Sequence, residues 1–277
     1  MIDCHTHTRN SPDAPQDAGN NPAALCKKAI AMGIKVLAIT EHCDLGDAET
    51  YKTLNIEKFM QENTAVKKTY GGISADGFTF VAGIELGQIT QEPERAEEIA
   101  ADPRLDFILA SVHALPGRQD FYWIDYSKEN ISELLQAYFE EILKLCSTGT
   151  FDVLAHLTYC LRYIEIRHGI LVDISQYDGI IEEIFKSLIR RGKGLEINTS
   201  GLWAKFGEKY GKTLPEYRHI KLYKDLGGEI ISVGSDSHCI TDLGKGIPEG
   251  IELAKKAGFK YLAYYQKRKV CYLPIDG

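Results

Sequence analysis

Lys35-Val36-Leu37-Ala38-Ile39-Thr40-Glu41-His42 is a short, almost unbroken apolar run that ends in an acid and a histidine. Such runs are buried on both faces and mark strands of a parallel sheet. The helical pattern ahead of it opens on Pro22, a first-turn proline, and stops at Gly33. Outward from this unit the same alternation returns along the chain. Strands are expected at residues 2–4, 35–40, 79–84, 107–112, 151–155, 195–198 and 230–233. Between them, Ile131, Leu134, Leu135, Tyr138, Ile142 and Leu145 repeat at helical spacing, as do Ile180, Ile181, Ile184, Phe185 and Leu188 ahead of Gly192. Shorter helices are expected at 59–66, 217–226 and 251–257, and residues 261–265 and 270–273 form a closing strand or hairpin. Seven strand-then-helix units define an α/β chain, either a barrel or a doubly wound sheet. Periodicity does not separate the two; the placement of ionisable residues does.

The chain has 277 residues and a formal net charge of −7, with 44% hydrophobic and 26% charged residues. These values suit one globular barrel spanning 1–277, and no linker or low-complexity stretch divides it. The acidic balance argues against long nucleic acid and anionic membrane. Met1 to His5 reads as no signal peptide, and Val36 to Ile39 is far too short to cross a bilayer. Seven cysteines, an odd number with no Cys-x-x-Cys pair, indicate neither a disulfide framework nor a thiolate zinc site, so a cytoplasmic location is expected. Cys4, Cys43 and Cys239 adjoin histidines but read as small packed residues.

Six of the eight histidines fall just after an expected strand: His5 and His7 after the first, His42 the second, His113 the fourth, His156 the fifth, His238 the seventh. Glu85 and Asp236 follow the third and seventh. In a parallel barrel these strand ends share one rim, where active sites are built. Imidazole and carboxylate without thiolate suit Zn, Mn, Fe or Co. One tetrahedral ion uses three or four protein ligands, and this rim offers about twice that. Two or three ions sharing a carboxylate would use them all, with Glu85 the natural bridge. Glu41 is placed to orient an imidazole rather than to ligate. His168 and His219 fit no such pattern.

In order, Asp3-Cys4-His5-Thr6-His7, Ile39-Thr40-Glu41-His42, Gly83-Ile84-Glu85, Ser111-Val112-His113, Ala155-His156 and Gly234-Ser235-Asp236-Ser237-His238 resemble the motifs of the PHP (polymerase and histidinol phosphatase) superfamily. Ser11-Pro12-Asp13-Ala14 and residues 195–202 resemble its stand-alone histidinol-phosphatase branch most. The resemblance implies a distorted seven-stranded (β/α)7 TIM-like barrel with three divalent metal ions on the C-terminal rim. It places His5, His7, Glu85 and Asp236 on the first ion, and Glu85, His113 and His156 on the second. Asp13, His42 and His238 fall on the third. It also implies hydrolysis of a small phosphate monoester, L-histidinol phosphate in histidine biosynthesis, by a hydroxide bridging metals. Glu85, Asp236 and His238 are the catalytic candidates on that pattern.

Two departures stand out. Asp13 replaces a histidine found in some relatives. Trp203 stands where many histidinol phosphatases carry an arginine suited to phosphate, leaving Arg118, Arg162 and Lys205 as candidates for that contact. Arg118 and Arg162 are expected on the loops after His113 and His156. The alternatives are a phosphoesterase acting on nucleotides or another small ester, an amidohydrolase, and a non-catalytic barrel. Glu85 and Asp236-x-His238 disfavour the second, and the complete ligand set disfavours the third. The expected partner is a small phosphorylated metabolite, with no protein partner surface evident.

Overall fold

The computed structural model describes residues 1–46, 54–70, 77–203 and 210–275. Seven strands, β1 (Ile2–Asp3), β2 (Val36–Asp44), β3 (Thr79–Gly87), β4 (Phe107–Ser111), β5 (Val153–Leu154), β6 (Gly194–Asn198) and β7 (Ile231–Gly234), form one parallel sheet in sequence order. The sheet curls until its ends meet. Cys4 N donates to Val233 O at 2.9 Å, Asp236 N to His5 O at 2.8 Å and His7 N to Ser237 O at 2.8 Å. The product is a nearly closed barrel with helices between successive strands.

The strands are buried almost throughout because the barrel interior covers one face and the helices the other. Helix α1 (Pro22–Ala31) starts where Asn21 Oδ1 accepts from Ala24 N at 3.0 Å, and Gly33 takes φ +73° beyond its end. Helices α2 (Ile56–Tyr70) and α3 (Pro93–Ala100) flank β3. Along α4 (Ile131–Leu145) and α6 (Asp178–Arg190) the expected apolar stripes are buried, through Leu134, Leu135, Tyr138, Ile142, Ile181, Ile184, Phe185 and Leu188. Helix α5 (Tyr159–Arg167) follows β5, and α7 (Tyr217–Asp225) and α8 (Ile247–Ala257) flank β7. No helix of the described residues is long and apolar enough to cross a membrane.

The tail is the expected hairpin, β8 (Tyr261–Gln266) against β9 (Lys269–Pro274), and it closes the N-terminal end of the barrel. Lys267 and Arg268 both take positive φ, the geometry of a tight hairpin turn. That turn presses Arg268 into the acids preceding the strands. Its Nε meets Asp152 Oδ2 at 2.6 Å, its Nη2 meets Thr150 O at 3.0 Å, and Lys267 N donates to Asp106 Oδ1 at 2.9 Å. The opposite end stays open, and there the ionisable residues gather.

Four elements differ from expectation. Strands β2 and β3 run on to Asp44 and Gly87, so Glu41, His42 and Glu85 lie within them rather than after them, and helix α3 was not expected. The segment after His156 is helix α5, so Arg162 is helical rather than on a loop.

Candidate metal centre

Because the strands are parallel, residues at their C-terminal ends meet although they are remote in sequence. The register pairs His42 with Glu85 on neighbouring strands. His5, His7, His113, His156, Asp236 and His238 surround that pair, all buried. Donor atoms approach one another within each of the three expected sets, while the groups lying within 4.8 Å of one another run across them: His5, His7 and Glu85; His42, Glu85 and His113; and His7, His42 and His238.

In the first, His5 Nε2 lies 3.2 Å and His7 Nε2 3.6 Å from Glu85 Oε2, with Asp236 Oδ1 at 3.9 and 3.5 Å from the two nitrogens. In the second, Glu85 Oε1 stands 3.1 Å from His113 Nε2 and 2.6 Å from His156 Nε2. In the third, Asp13 Oδ2 lies 2.8 Å from His238 Nε2 and 3.5 Å from His42 Nε2. Glu85 uses one oxygen in each of the first two clusters, and His42 Nδ1 also reaches it at 2.9 Å.

The donors suit cations. Among the described residues His5 Nε2 and His7 Nε2 are buried without a hydrogen bond, although both face Glu85 Oε2. Buried polar atoms without partners are costly in an apoprotein, and a divalent ion satisfies them together. Neutral imidazoles with the proton on Nδ1 are required, and the surroundings enforce that tautomer. Glu196 Oε1 accepts from His5 Nδ1 at 2.7 Å. Asp44 accepts from His113 Nδ1 at 3.0 Å, and the Asp236 carbonyl from His238 Nδ1 at 3.0 Å. Ser11 donates to Glu41 at 2.5 Å and so accepts from His7 Nδ1 at 3.1 Å. Each partner turns Nε2, lone pair outward, toward its cluster.

Electrostatics agree. Burial opposes charge on Glu85, but His5, His113 and His42 outweigh it and hold the carboxyl well below its usual range. His238 and His42 likewise overcome burial to hold Asp13 low. Burial also disfavours the His5 imidazolium, yet Glu196, Glu85 and Asp236 raise its pKa well above the ordinary value. Carboxylates that draw a proton onto a ring draw any other cation there too.

Three residues in this machinery were not singled out as such. Glu196 also accepts from His156 N at 2.8 Å, tying two donor clusters together. An acid inside the apolar run Leu195-Glu196-Ile197 was the available signal. Asp44 shares the strand face of His42, two residues on, a signal hidden by ending that strand early. Ser11 carries the effect of Glu41 to the His7 ring, and its hydroxyl also accepts from the backbone N of His42 at 3.1 Å. Cys4 and Cys43 are buried in the core and burial pushes the Cys43 thiol up to about 12, while the half-buried Cys239 joins no donor group among the described residues.

The candidate phosphate contacts separate. Arg162 lines the cavity of about 380 Å³ above the donors, beside Tyr159, Tyr163 and Asp13. Its guanidinium is buried; among the described residues its Nη atoms hydrogen-bond the neutral Ser200 and Tyr163 hydroxyls at 2.9 and 3.1 Å, and its Nε makes no hydrogen bond. Burial opposes its charge, but Tyr163 and Asp236 act on it through space and help to raise its pKa. Arg118 is half exposed, pairs with Glu129 at 2.5 Å and lies outside the cavity lining. Its surface ion pair is already satisfied there, which corrects the expectation that it reaches the rim. Lys205 lies outside the described residues. Trp203 lies outside the cavity lining, with Lys245 Nζ 5.2 Å from its ring centroid.

A parallel barrel whose C-terminal rim converges imidazoles and carboxylates has the architecture of a metal-dependent hydrolase. Residues 3–200 match the PHP domain model, and the chain belongs to that family. It is 28% identical over 98% of its length to the "Probable histidinol-phosphatase" of Thermotoga maritima, covering 98% of that protein. It is 26% identical to the histidinol-phosphatase of Lactococcus lactis, over 97% of this chain and 96% of that one. The crystal structure of histidinol phosphate phosphatase from Lactococcus lactis, complexed with zinc, L-histidinol and phosphate, superposes with a TM-score of 0.81 at 26% identity, covering 98% of both chains.

Proposed function

We propose that the chain, as one barrel, hydrolyses a small phosphate monoester, L-histidinol phosphate, to L-histidinol and phosphate. The observation that carries the reaction class is Arg162, a buried guanidinium whose hydrogen-bond partners among the described residues are neutral hydroxyls, in the same cavity as the imidazole–carboxylate donors. A cation so placed seeks an anion. The full-length relatives and the ligands of the Lactococcus lactis structure support histidinol phosphate as that anion.

In this reading His5, His7, Glu85 and Asp236 hold one divalent ion, Glu85, His113 and His156 a second, and Asp13, His42 and His238 a third. Zinc, manganese and iron all suit such donors. Bound there, the ions would neutralise phosphate oxygens and lower the pKa of water toward neutrality. Arg162 grips the remaining phosphate oxygens and sets phosphorus for in-line attack by water. Glu85 keeps the donor sets in register, one oxygen to each. Asp236 orients the His238 ring through its carbonyl and so turns Nε2 toward the third donor set; committed at both nitrogens, the ring has no proton to give, and the departing alkoxide takes one from water in the open cavity. Free thiols, five of seven buried, accord with a reducing cytoplasm.

The test is a panel on metal-reconstituted protein with histidinol phosphate, an aryl phosphate, nucleoside monophosphates and a DNA oligonucleotide. Histidinol phosphate should be preferred, and chelation should abolish turnover. A preference for nucleotides would overturn the substrate; undiminished turnover after chelation would overturn metal catalysis.

A further inference from the structure

The cavity wall carries four aromatic rings, Tyr122, Trp123, Tyr159 and Tyr163. Three have occupied faces or hydroxyls. The Tyr159 ring packs 5.1 and 5.0 Å from those of His113 and His156. Tyr163 accepts from Arg162, and the Arg167 guanidinium sits 3.9 Å from the Tyr122 centroid. Trp123 differs: its indole is 58% exposed, with Tyr122 edge-on at 4.6 Å.

Its backbone is nonetheless pinned. Trp123 N donates to Asp120 O at 2.9 Å, Gln119 Nε2 donates to Trp123 O at 2.9 Å, and the Asp120 carboxylate accepts from Tyr122 N at 2.6 Å. Phe121 N donates to the carbonyl of His113 at 2.9 Å, which fastens this turn to a metal-donor histidine. A large apolar ring whose backbone is fixed at the mouth of a cavity is placed to be covered, since the chain that carries it need not be ordered on binding. The carboxylates lining the cavity, Asp13, Glu85 and Asp236, are all committed to the donor clusters. The end of a substrate remote from its phosphate therefore meets aromatic faces.

We infer that Trp123 is the specificity-determining residue for the alcohol end of the substrate, its indole face taking a flat heteroaromatic ring, neutral or protonated. Stacking serves the neutral ring and cation–π attraction the protonated one. This role rests on the phosphomonoesterase assignment above and names what the leaving alcohol must carry.

The experiment measures kcat and KM of zinc-loaded parent, Trp123→Ala and Trp123→Phe on L-histidinol phosphate and glycerol phosphate, with inhibition by inorganic phosphate. Trp123→Ala should raise KM for histidinol phosphate about tenfold. Its kcat, its phosphate inhibition and its activity on glycerol phosphate should stay near parent values, and Trp123→Phe should recover most of the loss. Equal losses on both substrates, or a parent preference that Trp123→Ala retains, would overturn the role of Trp123 alone. A parent without preference for histidinol phosphate would overturn the substrate assignment and this role with it.

Discussion

Replacing Glu196 with glutamine keeps its shape and removes one acceptor. The carboxylate accepts from His5 Nδ1 at 2.7 Å, His156 N at 2.8 Å and Asn198 Nδ2 at 3.3 Å. Glutamine has one oxygen and one NH₂ for these three donors. With its oxygen on His5, the NH₂ collides with the N–H groups of His156 and Asn198. With the amide flipped, it opposes the His5 Nδ1 proton and drives it to Nε2, the atom that faces Glu85 Oε2 at 3.2 Å. Either way a charge-assisted hydrogen bond worth about 1.5–3 kcal/mol is lost. At about 1.4 kcal/mol per decade, metal affinity should fall about 10–100-fold, the range usual for groups that orient metal-binding imidazoles. Backbone space gives no relief, because Gly234 packs so closely on His5 and Glu196 that a side chain there would strike both. Elemental analysis after dialysis against graded zinc buffers measures affinity, and activity at saturating zinc separates binding from turnover. Zinc retention and kcat/KM within about twofold of the parent would refute the claim that Glu196 sets the His5 tautomer.

Glu85→Ala removes the oxygens shared by two donor sets, so bound metal and phosphatase activity should fall together in the same preparation. Arg162→Ala should raise KM for histidinol phosphate and weaken inhibition by phosphate about 10–100-fold, the worth of a charge-assisted contact, with metal content unchanged. Arg268→Ala strips the buried Asp152 of its ion pair at the closed end of the barrel and should cost about 2–4 kcal/mol in urea unfolding, while metal bound per folded molecule stays constant. His219 is buried in α7 beside Arg218, and burial, then that charge, depress its imidazole from 6.5 to about 3. A depressed base means that the unfolded chain binds the extra proton, so this residue's contribution is complete above about pH 6.5 and is lost on acidification. Between pH 7 and 5 it should account for roughly 2 kcal/mol of lost stability; His219→Leu should flatten that part of the profile, and an unchanged slope would show that the ring is not held neutral.

Much of the site was legible because every donor except Asp13 sits at or just beyond the end of an apolar run that reads as a buried strand. The misses have physical causes. Helix α5 lacks a polar face, with Tyr159 through Ile164 all buried, so no amphipathic period announced it. Helix α3 spans eight residues, half of them charged, too few turns for a stripe to show. Strand β2 continues past its apolar stretch because His42 and Asp44 face the donor groups while Glu41, on the alternate side, is held by Thr8 and Ser11; their polarity reads as the end of a strand in isolation.

By itself, the sequence determined the chain direction and the ends at which chemistry appears. Parallel strands in sequential order leave one rim for their C-terminal residues, so His5, Glu85, His113 and His238 had to meet there. Only the tertiary structure decided which partner holds each imidazole, and which cation faces the cavity. Glu196 reaches His5 across 191 positions of sequence, and Asp44 reaches His113 across 69. Arg162 and Arg118 look equivalent in sequence, each a few residues beyond a histidine. They part because α5 turns one guanidinium into the cavity, whereas the loop after β4 leaves the other beside Glu129 at the surface. Side-chain direction and neighbours across the barrel are properties of packing, and no local pattern of residues carries them.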